Sequence, residues 1–274
     1  MITDLHHVGI AVRDLDAALA LFRDALQLPC LKEGDVPSRG VRAAMLAAGR
    51  SYVEIIAPTR DDSPSAAFLR ERGEGLHHVA LCSTDIDADV AALRDKDVPL
   101  IDEGPRAGFT GRLSYLDPAA FDGAQIEVVE PEAAFAGDNL TPGHITRIDH
   151  VVFRVPHSLG FCGRMRDWFG IETKRTFERG DMTFAFMRPG DVVMEVIGPT
   201  EPPAEPRPGY IAGLAFEVMG IDELTADLKA QGYPIGEPHP ALQGGRIVSV
   251  HHSGAFGVPL AFIDFAGSPG PTKH

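Results

Sequence analysis

The sequence predicts an α+β protein made of four βαβββ modules, because the same features recur along its 274 residues. A strand-like apolar run opens each repeat, and the openings at residues 5, 76, 148 and 211 are 71, 72 and 63 residues apart. A second strand-like run closes each repeat, at residues 51–58, 124–131, 192–199 and 258–265. A helical pattern and shorter β-like stretches lie between these runs. Such self-similarity indicates duplication of one supersecondary unit.

The predicted helix of each module follows its opening strand. The first, over residues 13–28, has Asp14 as its N-cap and an apolar stripe at helical spacing. The same features predict helices over residues 85–99, 158–171 and 220–234. Short β-like stretches, such as 41–49 and 112–118, then lead to the closing strands.

The modules span residues 5–58, 76–131, 148–199 and 211–265. One helix cannot cover both faces of a sheet, so we expect the modules to pair around a shared cup. This pairing predicts two domains, residues 1–133 and 146–267. A polar linker interrupted by Gly and Pro joins them at 132–147, and the tail 267–274 is expected to fray.

The composition is that of a folded protein, with 44% hydrophobic and 23% charged residues. A net charge of −14 without a Lys/Arg run argues against nucleic-acid binding. The three cysteines, Cys30, Cys82 and Cys162, are widely spaced and favour a reduced environment. The N-terminus lacks a signal-peptide pattern, and no apolar run is long enough to cross a membrane. We therefore expect a cytoplasmic protein whose partner is a small-molecule substrate, with a homodimer as one candidate assembly.

Two histidines and two glutamates occupy matched positions in the first two modules. Side chains alternate along a strand, so His7 and His78 share faces with small residues on the opening strands. Glu54 follows His7 by 47 residues and Glu127 follows His78 by 49, both on closing strands. Buried carboxylates need compensation, and two imidazoles with two carboxylates suit a divalent transition metal. The pattern predicts one such ion, of Co, Ni, Zn, Mn or Fe, in the first domain.

The second half keeps only part of this pattern. His150 and Glu195 are 45 residues apart in the third module, but Gly213 and Ala261 stand at the matching positions of the fourth. We therefore expect a degenerate metal site, either a relic or a polar pocket. Four other histidines are interpreted as ordinary strand or cleft residues: His6, His77, His251 and His252.

This chain resembles the vicinal oxygen chelate superfamily, which includes glyoxalase I, extradiol dioxygenases and bleomycin resistance proteins. The resemblance rests on the paired modules and covers nearly the whole chain. The stretches "LHHVGIAVRDLDAALALFRDALQL" and "LIDEGPRAGFTGRLSYLDP" are similar to methylmalonyl-CoA epimerases in order and spacing. In that family the matching positions bind metal, which implies His7, Glu54, His78 and Glu127 as ligands here.

Two departures separate the chain from the epimerases it resembles. Some of those enzymes carry a further acid on the third-strand region, where this sequence has Ala43. Their His-Pro-Lys motif reads Asp117, Pro118 and Ala119 here, so the Lys is absent. A two-domain chain is also unusual for that epimerase. The superfamily is therefore better supported by the residues than the epimerase substrate.

The resemblance implies a substrate that chelates the metal through two oxygens. Our leading hypothesis is an isomerase, epimerase or glyoxalase-type lyase acting on a small oxygenated acid or its thioester through an enolate-like intermediate. Glu127 and Glu54 are the candidate bases. An extradiol ring-cleavage dioxygenase and a non-catalytic binding or resistance protein are the alternatives. Substrate contacts are predicted at Tyr52, Arg106, Phe109, Arg112 and Gln125.

Overall fold

The structure is a computed structural model, and it describes residues 1–205 and 207–266. In this part of the chain, sixteen strands form two eight-stranded sheets. Helices are few, and the predicted α+β class with four βαβββ modules is confirmed. The tail 267–274, which the sequence predicts to fray, lies outside the described residues.

The first module begins with a largely buried strand of 10 residues and a capped helix. Asp14 accepts a hydrogen bond from the backbone N–H of Ala17 at 3.0 Å, as an N-cap does. The predicted helix over 13–28 is α-helical only in its first turns, and Ala20–Ala25 is a π-helical segment. The elements are β1 (Ile2–Ala11), α1 (Leu15–Leu19), β2 (Cys30–Val36), β3 (Val41–Ala48) and β4 (Ser51–Pro58).

Helix α2 (Pro64–Arg72) lies between the first two modules and was not predicted. Ser63 accepts a hydrogen bond from the N–H of Ala66 at 3.1 Å, and Pro64 occupies the first turn. Both are ordinary helix-start signals, so the start of this helix could have been predicted from the sequence. The second module then comprises β5 (Gly75–Ser83), α3 (Ile86–Arg94), β6 (Arg106–Ala107), β7 (Gly111–Tyr115) and β8 (Ile126–Pro131).

The last two modules repeat the same element order. The third comprises β9 (Ile145–Arg154), α4 (Ser158–Phe169), β10 (Thr173–Arg179), β11 (Met182–Met187) and β12 (Val193–Pro199). The fourth comprises β13 (Tyr210–Val218), α5 (Ile221–Ala230), β14 (His239–Pro240), β15 (Arg246–Val250) and β16 (Leu260–Asp264). Among the residues described, no helix is long and apolar enough to span a membrane.

Both sheets have the same strand order, with the two opening strands side by side at the centre. The first runs β2-β3-β4-β1-β5-β8-β7-β6, and the second runs β10-β11-β12-β9-β13-β16-β15-β14. Each closing strand lies next to the opening strand of its own module, and the β5–β8 and β9–β12 pairs are parallel. This order brings the four strands that carry the predicted ligands next to one another.

Grouping the chain by spatial proximity gives two compact units. One contains Met1–Val8, His77–Gly137 and His150–Ala212. In it the Phe121 ring packs against Phe161, with centroids 5.3 Å apart.

The other unit contains Gly9–Leu76, Asp138–Asp149 and the described residues from Gly213 onward. In it Asn139 donates to the carbonyl of Gly49 at 3.1 Å. Strands β1–β8 form one sheet and β9–β16 the other, and the division into domains 1–133 and 146–267 stays a prediction.

Candidate metal centre

Two histidines from the central strands of the first sheet meet through their Nε2 atoms. His7 on β1 and His78 on β5 are 2% and 0% exposed, and their Nε2 atoms are 3.0 Å apart. The rings meet edge to face, with centroids 5.1 Å apart and planes at 90°. Two ring nitrogens at this distance need a proton or a cation between them, because two facing lone pairs repel.

The two glutamates come from the closing strands on either side. Glu54 on β4 and Glu127 on β8 are 8% and 1% exposed. Oxygen or nitrogen donors of His7, Glu54 and His78 all lie within 4.8 Å of one another. Glu127 Oε1 is 3.8 Å from Nε2 of His7. All four predicted ligands are thus buried, and each glutamate has a donor close to a histidine.

The donor set fits a divalent transition metal. Such ions bond histidine nitrogens and carboxylate oxygens at about 2.0–2.2 Å, so donors 3–4 Å apart can share one ion. Imidazole and carboxylate together suit ions such as Zn, Fe, Ni or Mn. A cation also compensates two carboxylates whose burial is otherwise costly. The residues present therefore fit the metal that the superfamily resemblance implies.

Burial sets the protonation of the central histidine. Removal from water, with the neighbouring imidazoles of His6 and His78, holds the pKa of His7 well below its usual value of 6.5. His7 is therefore neutral at physiological pH and has a lone pair available for a metal.

The first histidine of each pair contacts the second. Nδ1 of His6 is 2.8 Å from Nδ1 of His7, and Nδ1 of His77 is 3.0 Å from Nδ1 of His78. His6 also contacts the carbonyl oxygen of Phe135 through Nε2, at 3.0 Å. The interpretation of His6 and His77 as ordinary strand residues is therefore incomplete. The doubling of His in both modules was the signal that could have revealed these contacts.

The Tyr115 ring is close to both Arg106 and His78, one of the predicted metal ligands. Its guanidinium is 5.6 Å from the centre of the Tyr115 ring, and that ring is 5.9 Å from the ring of His78. Asp102 accepts from Arg106 Nε at 2.8 Å and from the backbone N–H of Tyr115 at 2.9 Å. Within residues 1–205 and 207–266, the buried Nη2 of Arg106 has no hydrogen-bond partner. Sequence reasoning missed Tyr115, although it is the cross-strand partner of Glu127.

The other predicted substrate residues have varied surroundings. Tyr52 is fully buried, and its hydroxyl accepts a hydrogen bond from Asn139 at 3.1 Å. Gln125 donates to the carbonyl of Leu116 at 2.9 Å. Phe109 is buried at 9% exposure.

Arg112 differs from Arg106 although both belong to the same Gly-rich stretch. Its guanidinium donates to both carboxylate oxygens of Asp87 on α3, at 2.6 and 2.8 Å. This exposed bidentate pair raises the pKa of Arg112 and lowers that of Asp87. The structure thus directs Arg112 toward a helix and Arg106 toward the ring beside His78.

The equivalent residues of the second half are only half-buried. Burial raises the pKa of Glu195, while the charges of His150 and Arg154 act in the opposite direction. Among the described residues, the group of donors close enough to hold an ion is His7, Glu54 and His78. His150 and Glu195 lie on neighbouring strands, β9 and β12, in the arrangement that β1 and β4 have in the first sheet.

Comparison with known proteins places this arrangement in a family. Residues 6–115 match the glyoxalase/bleomycin resistance protein/dioxygenase superfamily. An uncharacterized Bacillus subtilis protein, YqjC, is 35% identical over 129 residues, covering 47% of this chain and 92% of that protein. The chain belongs to the glyoxalase/bleomycin resistance protein/dioxygenase superfamily. Another member, the ethylmalonyl-CoA/methylmalonyl-CoA epimerase of Cereibacter sphaeroides, is 32% identical over 131 residues, covering 47% of this chain and 98% of its own.

A solved structure is similar in fold to both halves of the chain. A variant of 4-hydroxymandelate synthase from Streptomyces coelicolor matches 98% of this chain and 94% of its own, with a TM-score of 0.73. Its sequence is 15% identical, so this likeness concerns the fold alone. The superfamily relatives with closer sequences match about half of the chain.

Proposed function

We propose that this protein is a metal-dependent isomerase of the epimerase type, which moves a proton at the carbon beside a thioester carbonyl. The observation that carries the proposal is the buried group formed by His7, Glu54 and His78, with Glu127 beside it. Relatives named as methylmalonyl-CoA epimerases, 28–32% identical to this chain, support a CoA thioester as the substrate class. A glyoxalase-type lyase begins with the same proton removal and is tested alongside.

The four residues divide the work in this proposal. His7, His78 and Glu54 hold a divalent ion, which supplies Lewis-acid stabilisation for an oxygen that becomes negative. Glu127 takes the proton from the adjacent carbon, and inversion requires that a proton then returns to the opposite face of that carbon. The burial of Glu127, at 1% exposure, keeps bulk water from competing for this role. Glu54 is the second candidate base, because it is also a buried carboxylate at the site.

In this proposal, Arg106 binds an anionic group of the substrate. Its unpaired buried Nη2 offers donors, and Asp102 fixes the guanidinium against Tyr115. Arginine binds carboxylates with charge-assisted hydrogen bonds. A malonyl-type thioester has such a carboxylate on the carbon that loses the proton. We therefore favour 2-carboxyacyl thioesters over simple acyl thioesters.

A ring-cleavage dioxygenase is the second candidate function. Two histidines and one carboxylate have donors within 4.8 Å of one another, and this set is typical of non-haem iron oxygenases. Glu127 argues against this candidate, because a fourth protein donor near His7 occupies space that dioxygen and a catechol would need.

Metal analysis and isotope exchange test the proposal together. Purified protein is expected to bind one Co²⁺, Ni²⁺, Zn²⁺, Mn²⁺ or Fe²⁺ per chain, and His78→Ala is expected to lose it. Metal-loaded protein in D₂O should exchange the C2 proton of methylmalonyl-CoA but not a proton of acetyl-CoA. Oxygen uptake with catechols on the iron-loaded protein would instead favour the dioxygenase. Metal binding without exchange of any acyl-CoA or 2-oxo acid proton would refute the isomerase and lyase alike.

A further inference from the structure

A series of contacts connects the predicted linker, through His6, to the predicted metal ligand His7. The carbonyl oxygen of Phe135, in the 3-10 turn Ala133–Phe135, is 3.0 Å from Nε2 of His6. Nδ1 of His6 is 2.8 Å from Nδ1 of His7. Nε2 of His7 then faces the donors of the candidate metal centre. His6 is 3% exposed, so its ring is held inside the protein rather than in solvent.

The direction of each hydrogen bond follows from the first. A carbonyl oxygen only accepts, so Nε2 of His6 carries the proton in its contact with Phe135. Neutral His6 then has its lone pair on Nδ1. The short contact between the two Nδ1 atoms holds one proton, and His7 has to supply it. His7 is thereby fixed with its proton on Nδ1 and its lone pair on Nε2.

We propose that His6 is a positioning residue, which selects the tautomer of His7 that can bind a metal and fixes the direction of its ring. Metal-bound histidines commonly donate their other ring N–H to a carbonyl or carboxylate. In this protein a second histidine stands in the place of that acceptor, with the Phe135 carbonyl behind it. The inference rests on the metal role of His7 proposed above.

The second module has the same contact between the Nδ1 atoms of adjacent histidines. Nδ1 of His77 is 3.0 Å from Nδ1 of His78, and the rings cross at 89°. The His6 and His7 rings cross at 78°. Both "LHH" sequences therefore place a ligand histidine beside a supporting one. This accounts for a doubling that metal ligation alone does not require.

Three substitutions of His6 test the proposal with Co²⁺ as the probe. His6→Asn keeps an acceptor oxygen near the position of Nδ1, whereas His6→Leu removes it. His6→Gln keeps a polar amide but places it near the position of Nε2. Affinity for Co²⁺ is measured by competition with a chelator, and His239→Leu, at an exposed site, is the control for loss of a histidine.

We expect His6→Leu and His6→Gln to weaken Co²⁺ binding by about 10–100-fold, as loss of a ligand's outer partner does. His6→Asn should stay within a few-fold of the wild type. Proton NMR of the Co²⁺-loaded protein gives an independent readout. The shifted, exchangeable Nδ1–H signal of His7 should persist in wild type and His6→Asn, and should exchange rapidly in His6→Leu and His6→Gln.

Equal affinity in the wild type, Leu and Gln variants would overturn the inference, and so would an equal loss in Asn and Gln. If His6→Leu does not fold, the Asn and Gln variants decide. Both carry an amide at residue 6, but only Asn places it near the position of Nδ1. Failure of the wild type itself to bind Co²⁺ would instead refute the proposed metal function. The two failures are therefore distinguishable.

Discussion

Replacement of Glu127 by glutamine separates metal binding from proton transfer. The substitution keeps the size and shape of the side chain but removes the basic oxygen. Glu127 Oε1 lies 3.8 Å from Nε2 of His7, and the group of His7, Glu54 and His78, whose donors lie within 4.8 Å of one another, stays intact. We therefore expect Glu127→Gln to bind a stoichiometric metal when the ion is in excess.

The expected loss of turnover is large. A positioned general base contributes about 10²–10⁴-fold to the rate, which is about 2.7–5.4 kcal/mol of activation free energy. The side chain of Glu127 is 2% exposed, so solvent water has little access to substitute for the carboxylate. We expect kcat for C2-proton exchange of methylmalonyl-CoA to fall by about 10²–10⁴-fold, with KM changed much less.

The assay follows loss of the C2 proton in D₂O by NMR, at matched metal content. Glu130→Gln is the control, because Glu130 lies on the same strand but is half-exposed and near Arg112. Glu54→Gln is the comparison, and it should lose metal affinity because Glu54 belongs to the group whose donors lie within 4.8 Å of one another. Metal-loaded Glu127→Gln with turnover within a few-fold of the wild type would show that the base is assigned wrongly.

Three further substitutions probe the surroundings of the site and the equivalent position of the second half. Arg106→Gln should lower kcat/KM for methylmalonyl-CoA by about 10–100-fold through lost charge-assisted hydrogen bonds, and Arg112→Gln should change it by less than about twofold; equal effects would contradict the binding role. Ala43 lies opposite Ile56 of β4, on the sheet face that also carries Glu54, so Ala43→Glu places a carboxylate on that face. This variant should raise C2-proton exchange relative to Ala43→Gln. Glu195→Gln should unfold at a higher temperature than the wild type at neutral pH, because burial raises the pKa of Glu195 and the stability from its protonated form is lost as pH rises above the usual 4.5. Thermal unfolding at pH 4 and pH 7 measures this last effect, which should vanish at the lower pH.

The four residues predicted as metal ligands could be expected to lie together because side-chain direction along a strand alternates with a period of two residues. Once His7 and His78 open matched strands, parity decides which histidine of each pair reaches the other ligands. Glu54 and Glu127 follow from the same rule on the closing strands. The structure joins these strands as neighbours in one sheet, as this reasoning requires.

Other features depend on contacts that no local pattern encodes. The partner of His6 is Phe135, which is 129 residues away in the chain and belongs to the predicted linker. Arg106 and Arg112 share one Gly-rich stretch, and only the packing of Tyr115 and α3 distinguishes them. The π-helical segment Ala20–Ala25 has the same apolar stripe as an α-helix, so periodicity alone does not reveal it.

The two halves differ in the number of modules that supply a histidine and a glutamate. Both modules of the first half do so, but only one module of the second half does. In the first sheet, β1 and β5 are neighbours and each brings one histidine, so a cation held by both histidines would compensate the two buried carboxylates. In the second sheet, β13 and β16 bring Gly213 and Ala261 instead. Glu195 then has the charges of His150 and Arg154 to offset its burial, and it stays half-exposed with a raised pKa. A carboxylate left with one histidine thus remains partly in water, which is why we place the chemistry in the first half.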